Sequence, residues 1–311
     1  MLSRRQLALA LSGAALAPAL AFGQEPVPTG PEAIIGAGED RYDRLTIPVT
    51  IGGQGPFDFV VDTGADRTVL SEDVALQLGL PPGQDVMVQG ITGSEITRTV
   101  LAPEITLGSI VLKGLDLPVL PRERLGVDGL LGVDALARRR LVMDFRERRL
   151  EILPASGAFR PMTVGRDAFV NARDRYGRLV VIDANANSAP VAAFIDSGAG
   201  MSICNRALAE SLRSRGDWRT AGVTVPLYGV TSHEARGELR VLDTIRLGGL
   251  RVTDIPVLVS DLDLFEQWGM GDRPTILLGV NVLRLFSRVE MDYGRKRVMF
   301  RVAADPQIWT A

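Results

Sequence analysis

Read for apolar and polar positions, the chain is a succession of short β-rich runs. RLTIPVTI (residues 44–51) crosses the turn residues Gly52-Gly53-Gln54-Gly55 into a second apolar run ending at Val61. RLVVIDA (178–184) crosses Asn185-Ala186-Asn187-Ser188 into another ending at Ile195. Both read as β-hairpins, with β-branched residues flanking turn formers. Similar runs, broken by Gly, Pro and Asp, continue to about residue 305. The pattern predicts an all-β fold with a few short helices. Helices are expected over Ser71–Leu78, after Gly132, over Arg206–Arg213 and after Gly279. Ser-Glu-Asp at 71–73 is a capped, acidic helix start.

The runs occur twice. FVVDTGADRTVL (59–70) is echoed 134 positions downstream by FIDSGAGMSIC (194–204). Asp62 aligns with Asp196, Thr63 with Ser197, Gly64 with Gly198 and Ala65 with Ala199. GLLGVDAL (129–136) matches ILLGVNVL (276–283), and LVMDFRERRLEI (141–152) matches RVEMDYGRKRVMF (288–300). Between them lie two Gly-containing tips, VQGITGSE (88–95) and LYGVTSHE (227–234). The expected organisation is a signal peptide over 1–21 and a flexible leader over 22–40. A first lobe follows over 41–154, a connector merging into the second lobe over 155–177, and a second lobe over 178–305. Two copies make a duplication, not a solenoid.

Composition narrows the classes. The formal net charge of −2 offers no field for nucleic acid or an anionic membrane, so no nucleic-acid partner is expected. One histidine, His233, excludes multi-histidine metal centres and reads as surface decoration in a polar loop. One cysteine, Cys204, cannot form an internal disulfide and reads as a buried, inert thiol. Neither metal nor cofactor is expected. The basic clusters Arg138–Arg140 and Arg295–Arg297 read as solvated hairpin edges. The opening MLSRRQLALALSGAALAPALAFGQ has two arginines, an apolar run and the small-residue site Ala19-Leu20-Ala21. This is the pattern of an export signal, and Ser3-Arg4-Arg5-Gln6-Leu7 resembles a twin-arginine signal. Export, to a bacterial periplasm, is the expectation.

The duplicated carboxylates carry the chemistry. A lone carboxylate at the end of an apolar strand is costly to bury. If the lobes pack about a pseudo-twofold axis with their DTG and DSG turns meeting, Asp62 and Asp196 become neighbours. Two like charges 3 Å apart repel by about 5 kcal/mol at an effective dielectric near 20. The pair would then hold one proton near neutrality. The ionised member can take a proton from water while its protonated partner polarises a carbonyl, which is the chemistry of amide hydrolysis. Gly64 and Gly198 are expected to allow the tight turns and aim amides at the carboxylates. The hydroxyls of Thr63 and Ser197 are expected to bond across the lobe interface. Gly132 and Gly279 are expected to permit close approach behind the loops. SDLDLFE (260–266) has acids at alternate positions but no complete calcium loop, and reads as a surface helix or its cap.

These motifs resemble the retropepsin-like aspartic proteases of retroviral and bacterial type. Asp-Thr-Gly-Ala followed by apolar-apolar-Gly is the retroviral-type pattern, and its duplication is similar to the two lobes of pepsin. The resemblance covers nearly all of the chain after the leader. It implies two homologous acid-protease-type β-barrel lobes related by a pseudo-twofold axis. It implies an aspartic endopeptidase acting on an extended peptide or protein, with Asp62 and Asp196 as the catalytic pair. It also implies two flaps over the cleft, at Gly90, Ile91, Thr92 and Gly93 and at Tyr228, Gly229, Val230 and Thr231. Both lobes lie in one chain, so an active monomer is expected. Ala65 and Ala199 stand where pepsins carry Ser, and losing that donor predicts a mildly acidic pH optimum. Asp66 is replaced by Gly200, so the two sides of the dyad are not equivalent. The alternative class is an exported peptide-binding module using the same cleft without turnover. A glycosidase is disfavoured: its carboxylates do not come from duplicated DTG turns, and 5% aromatics is sparse for sugar stacking.

Overall fold

The alternation in Leu45–Ile51 puts Leu45, Ile47, Val49 and Ile51 on one buried face. Gly52 and Gly53, both with left-handed backbone (φ +56° and +76°), turn the chain back into Gln54–Val61. This is the geometry that a two-residue hairpin turn requires. The computed structural model describes residues 30–136, 139–154, 167–175, 178–181, 184–213, 219–302 and 308–310.

Gln54–Val61 runs parallel to Gly129–Leu131, which pairs antiparallel with Val69–Ser71. Val69–Ser71 runs parallel to Ile110–Leu120, which pairs with Ser94–Leu107. Ser94–Leu107 closes the ring on Leu45–Ile51 through Thr50↔Thr106 and Ile51↔Ile105. Six strands thus form a closed barrel filled by Phe59, Val61, Ile105, Leu107, Leu117 and Leu131, all fully buried. The second lobe repeats this order through Ala192–Ile195, Thr275–Leu278, Ser202–Cys204, Leu250–Val259 and Glu234–Leu247. Arg178–Val181 and Ala184–Ala186 bracket that ring, pairing with Ala192–Ile195 and Glu234–Leu247. The all-β, two-lobed expectation holds.

The hairpins that end the two lobes meet edge to edge. Leu141 pairs with Met291 and Met143 with Val289. Ala33–Gly36 adds at one side and Asp167–Arg175 at the other, giving a six-stranded antiparallel sheet that joins the lobes. One face carries Leu141, Met143, Leu150, Ile152, Val289, Met291 and Phe300, continuous with the core of both barrels. The other carries charges in pairs, Arg140–Glu290 at 3.3 Å and Arg288–Glu151 at 2.7 Å.

Three expectations change. The leader is not flexible throughout, because Ala33 and Ile35 are buried against Arg149–Pro154, and Gly38–Glu39 pairs with Leu45–Thr46. Part of the connector is a strand of the shared sheet, Asp167–Arg175. Arg140 is a buried partner of Glu290, not a solvated edge, because the second lobe's hairpin covers it. The signal segment 1–21, leader residues 22–29 and connector residues 155–166 lie outside the described residues, as does Arg138.

The helices fall where the caps place them. Glu72–Leu78 is capped by Ser71, whose Oγ accepts from Val74 N, and ends at left-handed Gly79. Val133–Leu136, Arg206–Arg213 and Val280–Leu283 follow the expected positions. Asp263–Gln267 overlaps the segment read as a surface helix, although Leu264 and Phe265 are buried. Arg122–Leu125 was not anticipated.

Candidate active site

Each parallel strand pair ends at an aspartate. Asp62 N donates to Leu131 O and Asp196 N donates to Leu278 O, both at 3.0 Å. Gly132 and Gly279 stand directly behind. A Cβ there would lie 2.5 Å from Arg67 C and 2.6 Å from Met201 C, so only glycine admits the crossing backbone. Asp134 and Asn281 tie the same crossings. Asp134 Oδ1 accepts from Thr68 N and Oγ1, and Asn281 Oδ1 accepts from Ser202 N and Oγ, at 2.8–2.9 Å.

The two turns grip one another. Thr63 N donates to Ser197 Oγ and Ser197 N donates to Thr63 Oγ1, each at 3.1 Å. The hydroxyls then pass their protons onward, Thr63 Oγ1 to Ile195 O at 3.1 Å and Ser197 Oγ to Val61 O at 2.6 Å. Thr63 and Ser197 are buried, so every link is made away from water. The lobes are therefore held in register at the very residues that carry the carboxylates.

Gly64 N and Ala65 N both donate to Asp62 Oδ1, at 2.9 and 3.0 Å, and Gly198 N donates to Asp196 Oδ1 at 2.9 Å. The need for glycine, however, is not a left-handed turn, because neither Gly64 nor Gly198 has positive φ. It is the opposite lobe. A Cβ on Gly64 would lie 2.6 Å from Asp196 Cγ, and one on Gly198 would lie 2.3 Å from Asp62 Cγ. Each carboxyl sits where the other loop lacks a side chain.

Burial pushes both carboxyls above the usual carboxylate range. Asp196 is pushed up to about 7, first by burial and then by the charge of Asp62. Asp62 is restrained by the Gly64 and Ala65 amides and by Arg44. Both carboxyls are thus harder to ionise than a free aspartate, and the charge of one opposes ionisation of the other.

Two arginines that the motif reading passed over complete the centre. Arg44 is buried and donates from Nη1 to Gly198 O at 3.2 Å and from Nη2 to Leu125 O at 2.7 Å. Asp40 holds it, Nε···Oδ2 2.9 Å. Arg178 donates from Nε to Gly64 O at 2.9 Å and pairs with Asp66 at 2.9 Å. Each arginine supports the carbonyl of the glycine that follows the other lobe's aspartate turn. The signal was present: DRYDRL (40–45) recurs as DRYGRL (174–179) at the same 134-residue spacing.

Above the pair lies a cavity of about 920 Å³, lined by Asp62, Asp196, Leu130, Ile203, Leu258 and Trp268 among others. Trp268 stacks on Phe194 at 4.5 Å and lies 4.8 Å under the Arg178 guanidinium. The two hairpin tips roof it and touch. Thr92 Oγ1 donates to His233 O at 2.8 Å, and Ser232 N donates to Glu95 at 2.8 Å. Gly90, Ile91, Tyr228, Gly229, Val230 and Thr231 face the cavity. Thr92 and Gly93 instead form the contact between tips: a Cβ on Gly93 would lie 2.6 Å from the His233 ring. His233 is exposed, as expected of a loop residue, and it also forms part of the roof. Cys204 is fully buried and its thiol is pushed up to about 12, an inert group as expected.

Fold and site together define a two-lobed β-barrel protein with one carboxyl from each lobe at the shared centre. The chain belongs to the aspartyl protease family, whose model matches residues 47–135 and 182–282, one match in each lobe. The retropepsin-like resemblance is thereby confirmed. No curated protein matches the chain.

Proposed function

We propose that the protein is an aspartic endopeptidase that hydrolyses peptide bonds with Asp62 as general base and Asp196 as general acid. The observation that carries this is the pairing of two buried carboxyls, each against the other loop's glycine, both pushed above the usual carboxylate range. Water held between them attacks the scissile carbonyl carbon and gives a proton to Asp62, while Asp196 gives its proton to the carbonyl oxygen. The resulting gem-diol collapses as the C–N bond breaks. Asp62 returns its proton to the leaving nitrogen, and Asp196 recovers one from the diol. The flaps close over an extended substrate, add strand-type hydrogen bonds and exclude water. The substrate is an extended peptide or protein, the active species a monomer, and the protein is exported. Export is supported by the N-terminal sequence, and the monomer by both carboxyls being in one chain.

The test is cleavage of an unbiased peptide mixture, read by mass spectrometry from pH 4 to 7.5, with and without a statine inhibitor. Asp62→Asn and Asp196→Asn are each expected to lower kcat by ~10²–10⁴-fold or more, the worth of a positioned acid or base. Peptide binding without products by folded wild type at every pH would favour the binding module instead.

A further inference from the structure

The two halves of the cleft differ in charge. On one side Asp66, 62% exposed, is neutralised by the buried Arg178. At the matching place on the other side stands Gly200, and the space a side chain would need is occupied by Tyr42: a Cβ on Gly200 would lie 3.2 Å from Tyr42 Cβ. Tyr42 is half exposed, with the guanidinium carbons of Arg41 and Arg44 4.8 and 5.4 Å from its ring centre. Arg44 is committed to Asp40, Gly198 O and Leu125 O. Arg41 is exposed, faces the cavity and has no hydrogen bond or ion pair among the described residues. Glu123, which also faces the cavity, does not come within ion-pair distance of it. The sequence repeat gives the other half an arginine too, Arg175, whose side chain lies outside the described residues.

We infer that Arg41, seated on Tyr42, is a carboxylate-reading subsite that makes substrate selection one-sided, favouring an acidic group on a single side of the scissile bond. This rests on the peptidase reading above and deepens it. A guanidinium resting over an aromatic ring keeps its donor fork free for a carboxylate, and less rotamer freedom is lost on binding. Arg67 and Arg124 also line the cavity but are held by Asp116 and Glu95, so among the described residues an extended substrate meets an uncommitted fork at Arg41. In the other half it meets an acid already paired.

The experiment uses peptides scanned with Glu, Gln or Lys at each position on both sides of a cleavage site. Binding is measured by fluorescence anisotropy on Asp62→Asn, and cleavage on the wild type. Glu is expected to bind about three- to fivefold tighter than Gln at low salt, at positions on one side only, as for an exposed ion pair. The preference should shrink as salt rises. Arg41→Ala should abolish it, Arg41→Lys should keep part of it, and Arg41→Glu should turn it towards Lys. Peptides ended at the same position, as free acid or amide, tell a chain terminus from an acidic side chain, either of which supports the subsite. Peptide binding indifferent to charge, or equal acid preference on both sides, overturns the inference and leaves the peptidase reading standing. Binding of no peptide overturns both.

Discussion

At the scale of the residue, the site is built from groups with almost no slack. Replacing Gly198 by Ala places a methyl 2.3 Å from Asp62 Cγ and 2.4 Å from each of its oxygens, so the carboxyl must leave its place. Gly198→Ala is expected to fold less stably and to lose cleavage, even though its φ would suit any residue. A soluble, fully active variant would show that the carboxyls do not approach the opposite loops. Ser197→Ala strips Thr63 N of its acceptor and Val61 O of a donor, both buried. Two such losses cost about 2–4 kcal/mol, measurable by urea unfolding. Ser197→Thr should cost little, since the first lobe already uses threonine there. The carboxyls also set the pH behaviour. The folded Asp196 has a pKa near 7, above its ordinary value of 3.8. Between those values the native state holds a proton that the unfolded chain has released, so this group lowers stability as pH rises through the window. Asp196→Asn is therefore expected to raise Tm at pH 7.5, by at least about 2 °C, and to change it little at pH 4. Wild-type cleavage should persist through mildly acidic pH and fall away above about 7 as the general acid ionises.

At the scale of the element, what was legible in the sequence is what each strand and loop states locally. Duplicated DTG and DSG turns, apolar-apolar-Gly strands and capped helices all have compositions set by their own geometry. Asp134 and Asn281 show how far this reaches. They sit at equivalent places, one ionisable and one not, and each uses a side-chain oxygen to accept from the hydroxyl and amide of Thr68 or Ser202. Since the charge is not what the element needs, Asp134→Asn should cost under about 1 kcal/mol, whereas Asp134→Ala leaves buried donors unpaired at about 1–3 kcal/mol each. Chemical denaturation of both variants checks it, and equal costs would refute the equivalence. What was not legible depends on elements meeting at a distance. Arg44 and Arg178 read as ordinary charges because the glycine carbonyls they support lie in the other lobe. Thr92 and Gly93 read as substrate-facing because a hairpin tip's sequence does not say which way it leans. Thr92→Val removes the hydroxyl that donates to His233 O and should loosen the roof. Faster amide exchange at 90–93 and 229–233, with a raised KM, is the expected result.

At the scale of the whole molecule, the two lobes have separate barrels but share the largest core, beside a smaller apolar cluster in each. The apolar face of the joining sheet is continuous with both barrels, through Met143 and Ile152 from one lobe and Val289 and Phe300 from the other. The same sheet runs from Ala33–Gly36 to Asp167–Arg175 with neighbouring strands contributed by different lobes. The grip of Thr63 on Ser197 then ties the barrels a second time, at the centre. A lobe that unfolded alone would expose the sheet's apolar edge in its partner and leave the buried donors of the grip unpaired. Both penalties fall on the lobe still folded, so partial unfolding gains little. Calorimetry is therefore expected to show one transition, with the calorimetric and van't Hoff enthalpies in agreement. Leu141→Ala, a change in the shared sheet of about 2–5 kcal/mol, should move that single transition down without splitting it. Two resolved transitions in the wild type, or a Leu141→Ala protein in which the first lobe melts while the second stays protected in hydrogen exchange, would mean that the lobes are independent. The dyad would then rest on the grip alone, because nothing else would keep two mobile barrels aligned to the accuracy that its glycines require.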